Sequence, residues 1–222
     1  MRKLAITFLL ALAPSMVLAA GPKLDLMPAD VDLHDKAAMQ RGAGYFINYC
    51  QGCHSMEYMR INRVAKDLDI PIEVAKAEML IGTDKVGDPM HSNISAEQAE
   101  AWFGVTPPDL SLTARLRGED WIYNYLISFY RDPSAPSGWN NTIFENAAMP
   151  HVLSNLQGVQ ELDPESHELK LVSRGSKSDE YDQIARDITA FMVYAAEPSK
   201  ADRQFYGIFV MIFLLVFFVL AY

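Results

Sequence analysis

The chain has 222 residues, half of them hydrophobic, with 28 acidic against 19 basic side chains and a formal net charge of −9. That length and apolar content suit one ordinary domain with short additions. So acidic a chain repels nucleic acid and favours a basic partner, unless the charge only keeps an exported domain soluble.

The first residues, MRKLAITFLLALAPSMVLAA, read as a secretory signal peptide over 1–19 rather than an uncleaved anchor. Arg2 and Lys3 form its basic start, Leu4 to Leu12 is too short to span a bilayer, and Val17-Leu18-Ala19 suits cleavage after Ala19. Without Arg2 and Lys3 the chain keeps 17 basic and 28 acidic residues, a charge of −11. In residues 31–50, Met39, Ala43, Phe46, Ile47 and Cys50 fall on one helical stripe, and Asp35 is the candidate N-cap. Pro71 breaks the chain, and the spacing predicts a short helix over 72–81 that stops at Gly82. Ser95 with Gln98 forms a capping box for a helix over 96–103. Pro107-Pro108 closes that region. Residues 119–131 are predicted helical, with Ile122, Tyr125, Leu126 and Phe129 inward. Residues 132–178, rich in Pro, Gly, Ser and Asn, read mostly as loop. Tyr181, Ile184, Ile188, Phe191 and Ala195 then mark an amphipathic helix that Pro198 ends. No internal repeat or strand alternation stands out.

Phe205 to Tyr222 carries no charge. As a helix it reaches roughly 27 Å, close to the ~30 Å of a hydrocarbon core. Its apolar character on every face suits lipid better than the core of a soluble domain. The expected organisation is a signal peptide (1–19), a mainly helical exported domain (20–203) and a single-pass anchor (204–222), joined by the polar segment Ser199 to Gln204.

Both cysteines lie in Cys50-Gln51-Gly52-Cys53-His54. A thioredoxin-like pair would need a βαβ setting, and zinc would need a fourth ligand. C-x-x-C-H is the signature of covalent haem attachment. One helical turn can offer two thiols to the vinyl edge of a porphyrin and an imidazole to its iron, while Gly52 keeps the backbone slim. The sixth ligand stays open at this point. Met149, fixed beside Pro150 after a polar loop, is the leading candidate, with His151, Met90 and His91 as rivals.

Longer stretches resemble one family. RGAGYFINYCQGCHSMEYMR is similar to the haem-attachment region of the cytochrome c1 family, the haem subunits of ubiquinol–cytochrome c reductase (the cytochrome bc1 complex). TPPDLSLTARLRGEDWIYNYLISFY resembles the family's PPDLS segment, AAMP its axial-methionine motif, and IARDITAFMVYAAEP with the following apolar helix its C-terminal end. C-x-x-C-H alone would name only a c-type cytochrome; PPDLS and the AAEP-to-anchor junction are far more specific.

The resemblance implies a cytochrome c-like fold with one covalent haem c. It implies thioether bonds at Cys50 and Cys53, His54 and Met149 as iron ligands, and Arg117, with Arg115 beside it, near a haem propionate. Pro108 and Leu110 would line the haem edge, and Trp121, where the family more often has Tyr, would pack near a propionate. It further implies cytochrome b, the Rieske iron–sulfur protein and an acceptor cytochrome c as partners, in a dimeric complex. The haem domain would face the periplasm from a bacterial inner membrane, with lipid around the anchor. Such a chain makes and breaks no substrate bonds itself. The alternatives are a tethered cytochrome of another respiratory complex, or a haem sensor or peroxidase with an open sixth site.

Overall fold

The computed structural model describes residues 24–222; the signal-peptide reading of 1–19 lies outside the described residues. The core is organised by two long helices that cross in contact, α1 (Lys36–Tyr49) and a late helix, Tyr181–Ala196. Asp35 caps α1 by accepting from the Ala38 amide, and the predicted stripe Met39, Ala43, Phe46 and Ile47 is buried. The helix begins at Lys36 rather than at 31. The residues before it run as a strap: Asn124 holds both the N–H and the carbonyl of Met27, and Asp120 accepts from the Ala29 amide.

After α1 come β1 (Met56–Arg60), α2 (Ile61–Asp67), α3 (Ile72–Glu78), β2 (Pro89–Met90) and α4 (Ala96–Phe103). The predicted capping box of α4 is present, with Ser95 accepting from the Gln98 amide and Gln98 accepting from the Ser95 amide. Next are α5 (Thr113–Arg117), α6 (Glu119–Ile127), β3 (Phe129–Arg131), β4 (Trp139–Asn141), α7 (Ser154–Gln157), β5 (Gly158–Leu162) and β6 (Leu169–Arg174). The Tyr181–Ala196 helix is α8, and α9 (Lys200–Ala221) ends the chain.

The helix predicted over 72–81 ends earlier, at Glu78. The helix predicted over 119–131 stops at Ile127, because Phe129–Arg131 pairs antiparallel with Trp139–Asn141. Residues 132–178 are not mostly loop, since β5 and β6 form a hairpin within them. The three sheets are each two-stranded, so the chain remains mainly helical.

At the crossing, Phe46 packs on Phe191 with ring centroids 5.5 Å apart. Arg41 donates twice to Asp187, at 2.6 and 2.8 Å, and the carboxylate is 2% exposed against 49% for the guanidinium. α8 is buried along nearly all its length and also meets α6, where the Tyr181 hydroxyl donates to the Leu126 carbonyl at 2.9 Å. The predicted linker Ser199 to Gln204 is mostly helical, so α9 starts at Lys200 and runs unbroken through the apolar segment. None of its apolar window is buried against the rest of the protein, and it is the one helix among the described residues long and apolar enough to cross a membrane.

Candidate haem site

Cys50 closes α1. Its amide donates to Phe46 O at 2.8 Å, and its carbonyl accepts from both Cys53 N (3.0 Å) and His54 N (2.9 Å). One tight turn therefore gathers the two thiols and the imidazole. The thiols are not joined in a disulfide. Burial pushes the Cys50 thiol up to about 12, and burial also raises Cys53. Redox-active C-x-x-C pairs have lowered thiol pKa values, so this environment opposes that reading. Among the described residues no three His, Cys, Asp or Glu side chains gather as a zinc site would need. A Cβ on Gly52 would meet nothing within 4 Å among the described residues, so none of their atoms demands glycine there.

The PPDLS segment is fastened to this turn. His54 Nδ1 lies 2.8 Å from the Pro108 carbonyl, which can only accept, so Nδ1 carries the proton and Nε2 keeps its lone pair. Burial lowers the His54 pKa, while the Pro108 hydrogen bond and nearby Asp109 pull the other way. The neutral imidazole is the form that binds iron. Asp109 accepts from Ser55 Oγ (2.8 Å), the Glu57 amide (2.8 Å) and the Ser111 amide (2.9 Å), and the Leu110 amide donates to Ser55 O at 2.9 Å. The sequence reading named Pro108 and Leu110 but missed Asp109, which holds both in place. Its signal was present, since an Asp two residues before a Ser is a common turn clasp.

Downstream, residues spaced by four along α5, α6 and β3 form one stack. The Arg117 guanidinium lies 5.1 Å over Trp121, Trp121 stacks on Tyr125 at 5.1 Å and 9°, and Phe129 meets Tyr125 edge-on at 5.0 Å. The Tyr125 hydroxyl is 3.4 Å from the sulfur of Met149. Arg115, Arg117 and Trp121 line a cleft of about 540 Å³ that reaches Val193, Glu197 and Lys200 at the foot of α9. A second cleft, of about 590 Å³, lies by Tyr130, Arg131 and Glu161 and includes none of the predicted site residues.

The rivals of Met149 have other surroundings. Met90 is fully buried opposite Met56 in the β1–β2 ladder. His91 pairs with Glu57 at 3.1 Å. His151 is buried, stacked on Phe129 at 5.0 Å and 3° and edge-on to Trp139, with its Nε2 unpartnered. Two thiols in one turn, an imidazole with a free Nε2, a thioether held by a phenol and paired arginines at a cleft together make a donor set that fits a covalently held haem.

The Cytochrome C1 family model matches residues 29–222. The chain is 48% identical to the cytochrome c1 of Allochromatium vinosum, over all of this chain and 96% of that relative. It is 43% identical to a Nitrosomonas europaea protein named ammonia monooxygenase gamma subunit, covering 91% and 87% of the two chains. A more distant relative, the cytochrome c1 of Rhodobacter capsulatus, is 26% identical over 85% of this chain and 81% of its own. The resemblance read from CQGCH, PPDLS and AAMP thus extends across the whole described fold, and the chain belongs to the cytochrome c1 family.

Proposed function

We propose that this chain carries one haem c and moves single electrons within a ubiquinol–cytochrome c reductase, taking them from the Rieske iron–sulfur protein and giving them to a cytochrome c. The observation that carries this is His54, presented in the same turn as Cys50 and Cys53 with its Nδ1 tied to the Pro108 carbonyl. Cys50 and Cys53 would hold the porphyrin edge, His54 Nε2 one face of the iron and Met149 the other. Arg117, with Arg115 nearby, would hold a propionate, since a guanidinium can grip a carboxylate with two bonds. Pro108 and Leu110 would line the edge, and Trp121 packs against Arg117. When bound, the haem supplies a one-electron iron couple, and a His/Met pair favours a high potential.

The chain's own residues keep that couple rigid. The Pro108 carbonyl fixes the imidazole tautomer and ring angle. The bonds to Asp109 lock the PPDLS segment, and with it the Pro108 carbonyl, against the attachment turn. In this reading residues 1–19 are removed on export, residues 20–203 face the periplasm, and residues 204–222 anchor them in the inner membrane beside cytochrome b.

The name of the Nitrosomonas relative favours a second reading, a haem subunit serving a different membrane oxidoreductase. Purification of the tagged chain in mild detergent separates the two. Cytochrome b and a Rieske protein co-purify on the first reading; other membrane subunits, or none, overturn it. Ready binding of carbon monoxide by the reduced, purified protein would instead indicate an open sixth site and a sensor or peroxidase.

A further inference from the structure

We propose that Tyr125 is a positioning residue for Met149, its hydroxyl donating to Sδ so that one sulfur lone pair is engaged and the other is turned to the iron. The O···S separation is 3.4 Å, and the thioether is the only partner of this phenol among the described residues. A half-buried tyrosine hydroxyl ordinarily finds a partner. A thioether has no proton to give, so the hydroxyl is the donor of the pair. The ring has little freedom, being stacked on Trp121 and met edge-on by Phe129. Its backbone is committed to the same loop. The Tyr125 carbonyl accepts from Asn141 Nδ2 at 2.8 Å, and Asn141 Oδ1 accepts the amides of Ile143 and Phe144 on the way to Met149. One residue of α6 therefore holds both the entry to the methionine loop and its sulfur.

The proposal rests on Met149 being the axial ligand, and it adds a consequence for the potential. A donor on sulfur draws electron density from the thioether, which then stabilises ferric iron less than ferrous. A hydrogen bond has a net worth of about 0.5–1.5 kcal/mol. If that worth falls on one oxidation state, the reduction equilibrium moves about two- to tenfold, roughly 20 to 60 mV for one electron.

The test is Tyr125→Phe in the full-length, haem-loaded protein, read by equilibrium redox titration and by the sulfur-to-iron charge-transfer band of the ferric form. The expected result is a shifted but retained band and an equilibrium moved two- to tenfold toward the oxidised form. An unmoved midpoint overturns the proposal. Met149→Ala separates this failure from failure of the underlying reading. If the band survives in Met149→Ala, Met149 is not the ligand and both fall. If Met149→Ala abolishes the band while Tyr125→Phe leaves the midpoint in place, the role of Tyr125 alone falls. Should Tyr125→Phe not load haem, the wild-type iron–sulfur stretching frequency in H2O and D2O decides. A shift supports an exchangeable proton on the sulfur, and identical frequencies overturn it.

Discussion

Gly42 is where the two long helices of the haem domain touch, and one methyl group tests that contact. A Cβ there would stand 1.9 Å from the Asp187 carbonyl oxygen, 2.6 Å from its carbon and 2.9 Å from Phe191 Cβ. The first two are backbone atoms inside α8, so relief requires α1 and α8 to part. Overpacking of a core costs about 1–3 kcal/mol, and a rigid backbone contact this short belongs at the upper end. Alanine's better helix propensity returns ~1 kcal/mol. The net loss for Gly42→Ala is then about 2 kcal/mol. At roughly 2–4 °C per kcal/mol for a domain of this size, the melting temperature falls by about 4–8 °C. Gly44 is the internal control, two residues along the same helix, where a Cβ meets nothing within 4 Å. Gly44→Ala keeps only the propensity gain, ~1 kcal/mol or about 2–4 °C upward. Thermal melts of both haem-loaded variants, followed by helix and haem signals, check this. A Gly42→Ala protein that melts at or above wild type, or two variants that move together, refutes the close-contact argument.

Loss of the exposed partner should harm the Arg41–Asp187 pair more than loss of the buried one. Arg41→Met leaves a 2%-exposed carboxylate with only Gln183, among the described residues, donating to it from a side chain, costing about 3–5 kcal/mol, while Asp187→Asn costs about 1–3 kcal/mol; urea midpoints in the reverse order would contradict this. Ending the chain after Gln204 should release a soluble, haem-loaded domain, because α9 buries none of its apolar window and Lys200–Glu119 and Arg203–Glu197 are both retained; loss of haem in that truncation would assign the helix to the core. Reduction of a basic cytochrome c should slow steeply as ionic strength rises toward about 0.1 M, where screening acts within roughly 10 Å; a rate flat across that range would mean that the acidity serves solubility alone.

Much of the frame was legible because its signals are local. The stripe in 39–47, the Asp35 cap, the Ser95–Gln98 box and the period of α8 each depend on spacings within a few turns. The anchor was legible from composition alone, although its helix reaches back to Lys200 because Ser199 to Gln204 holds nothing that stops a helix. The strands were not legible. Phe129–Arg131 extends an apolar helical pattern and becomes a strand only because Trp139–Asn141 returns beside it. The β5–β6 hairpin is seated by Gln160, whose amide donates to the Ile127 and Phe129 carbonyls at 2.9 Å, a tertiary contact with no sequence period. Glu161, Asp163, Glu165 and Glu168 form a dense acidic group in the sequence. In the fold Asp163 is a turn clasp, held down to about 2 by Lys170 and by the Ser166 and Glu165 amides. Its charge is committed to the hairpin, which leaves Glu161, Glu165 and Glu168 as the exposed carboxylates of that group.

The two halves of the candidate site are held by different physics. Cys50 ends a helix whose place is set by apolar packing and by the close approach at Gly42, so the attachment turn inherits the rigidity of the core. Met149 lies on a segment ordered largely by polar side chains. Asn140 Oδ1 accepts the Asn141 and Asn146 amides, Asp132 accepts from Asn140, and Asn141 ties the segment to the Tyr125 carbonyl. Asn146 sits at φ 60°, a left-handed conformation that asparagine tolerates better than most residues. Hydrogen bonds of this kind contribute about 1 kcal/mol each and are lost singly, whereas core packing is lost cooperatively. The methionine side should therefore open before the histidine side under denaturant. A tyrosine hydroxyl on the sulfur opposes that opening at the atom where it would matter most.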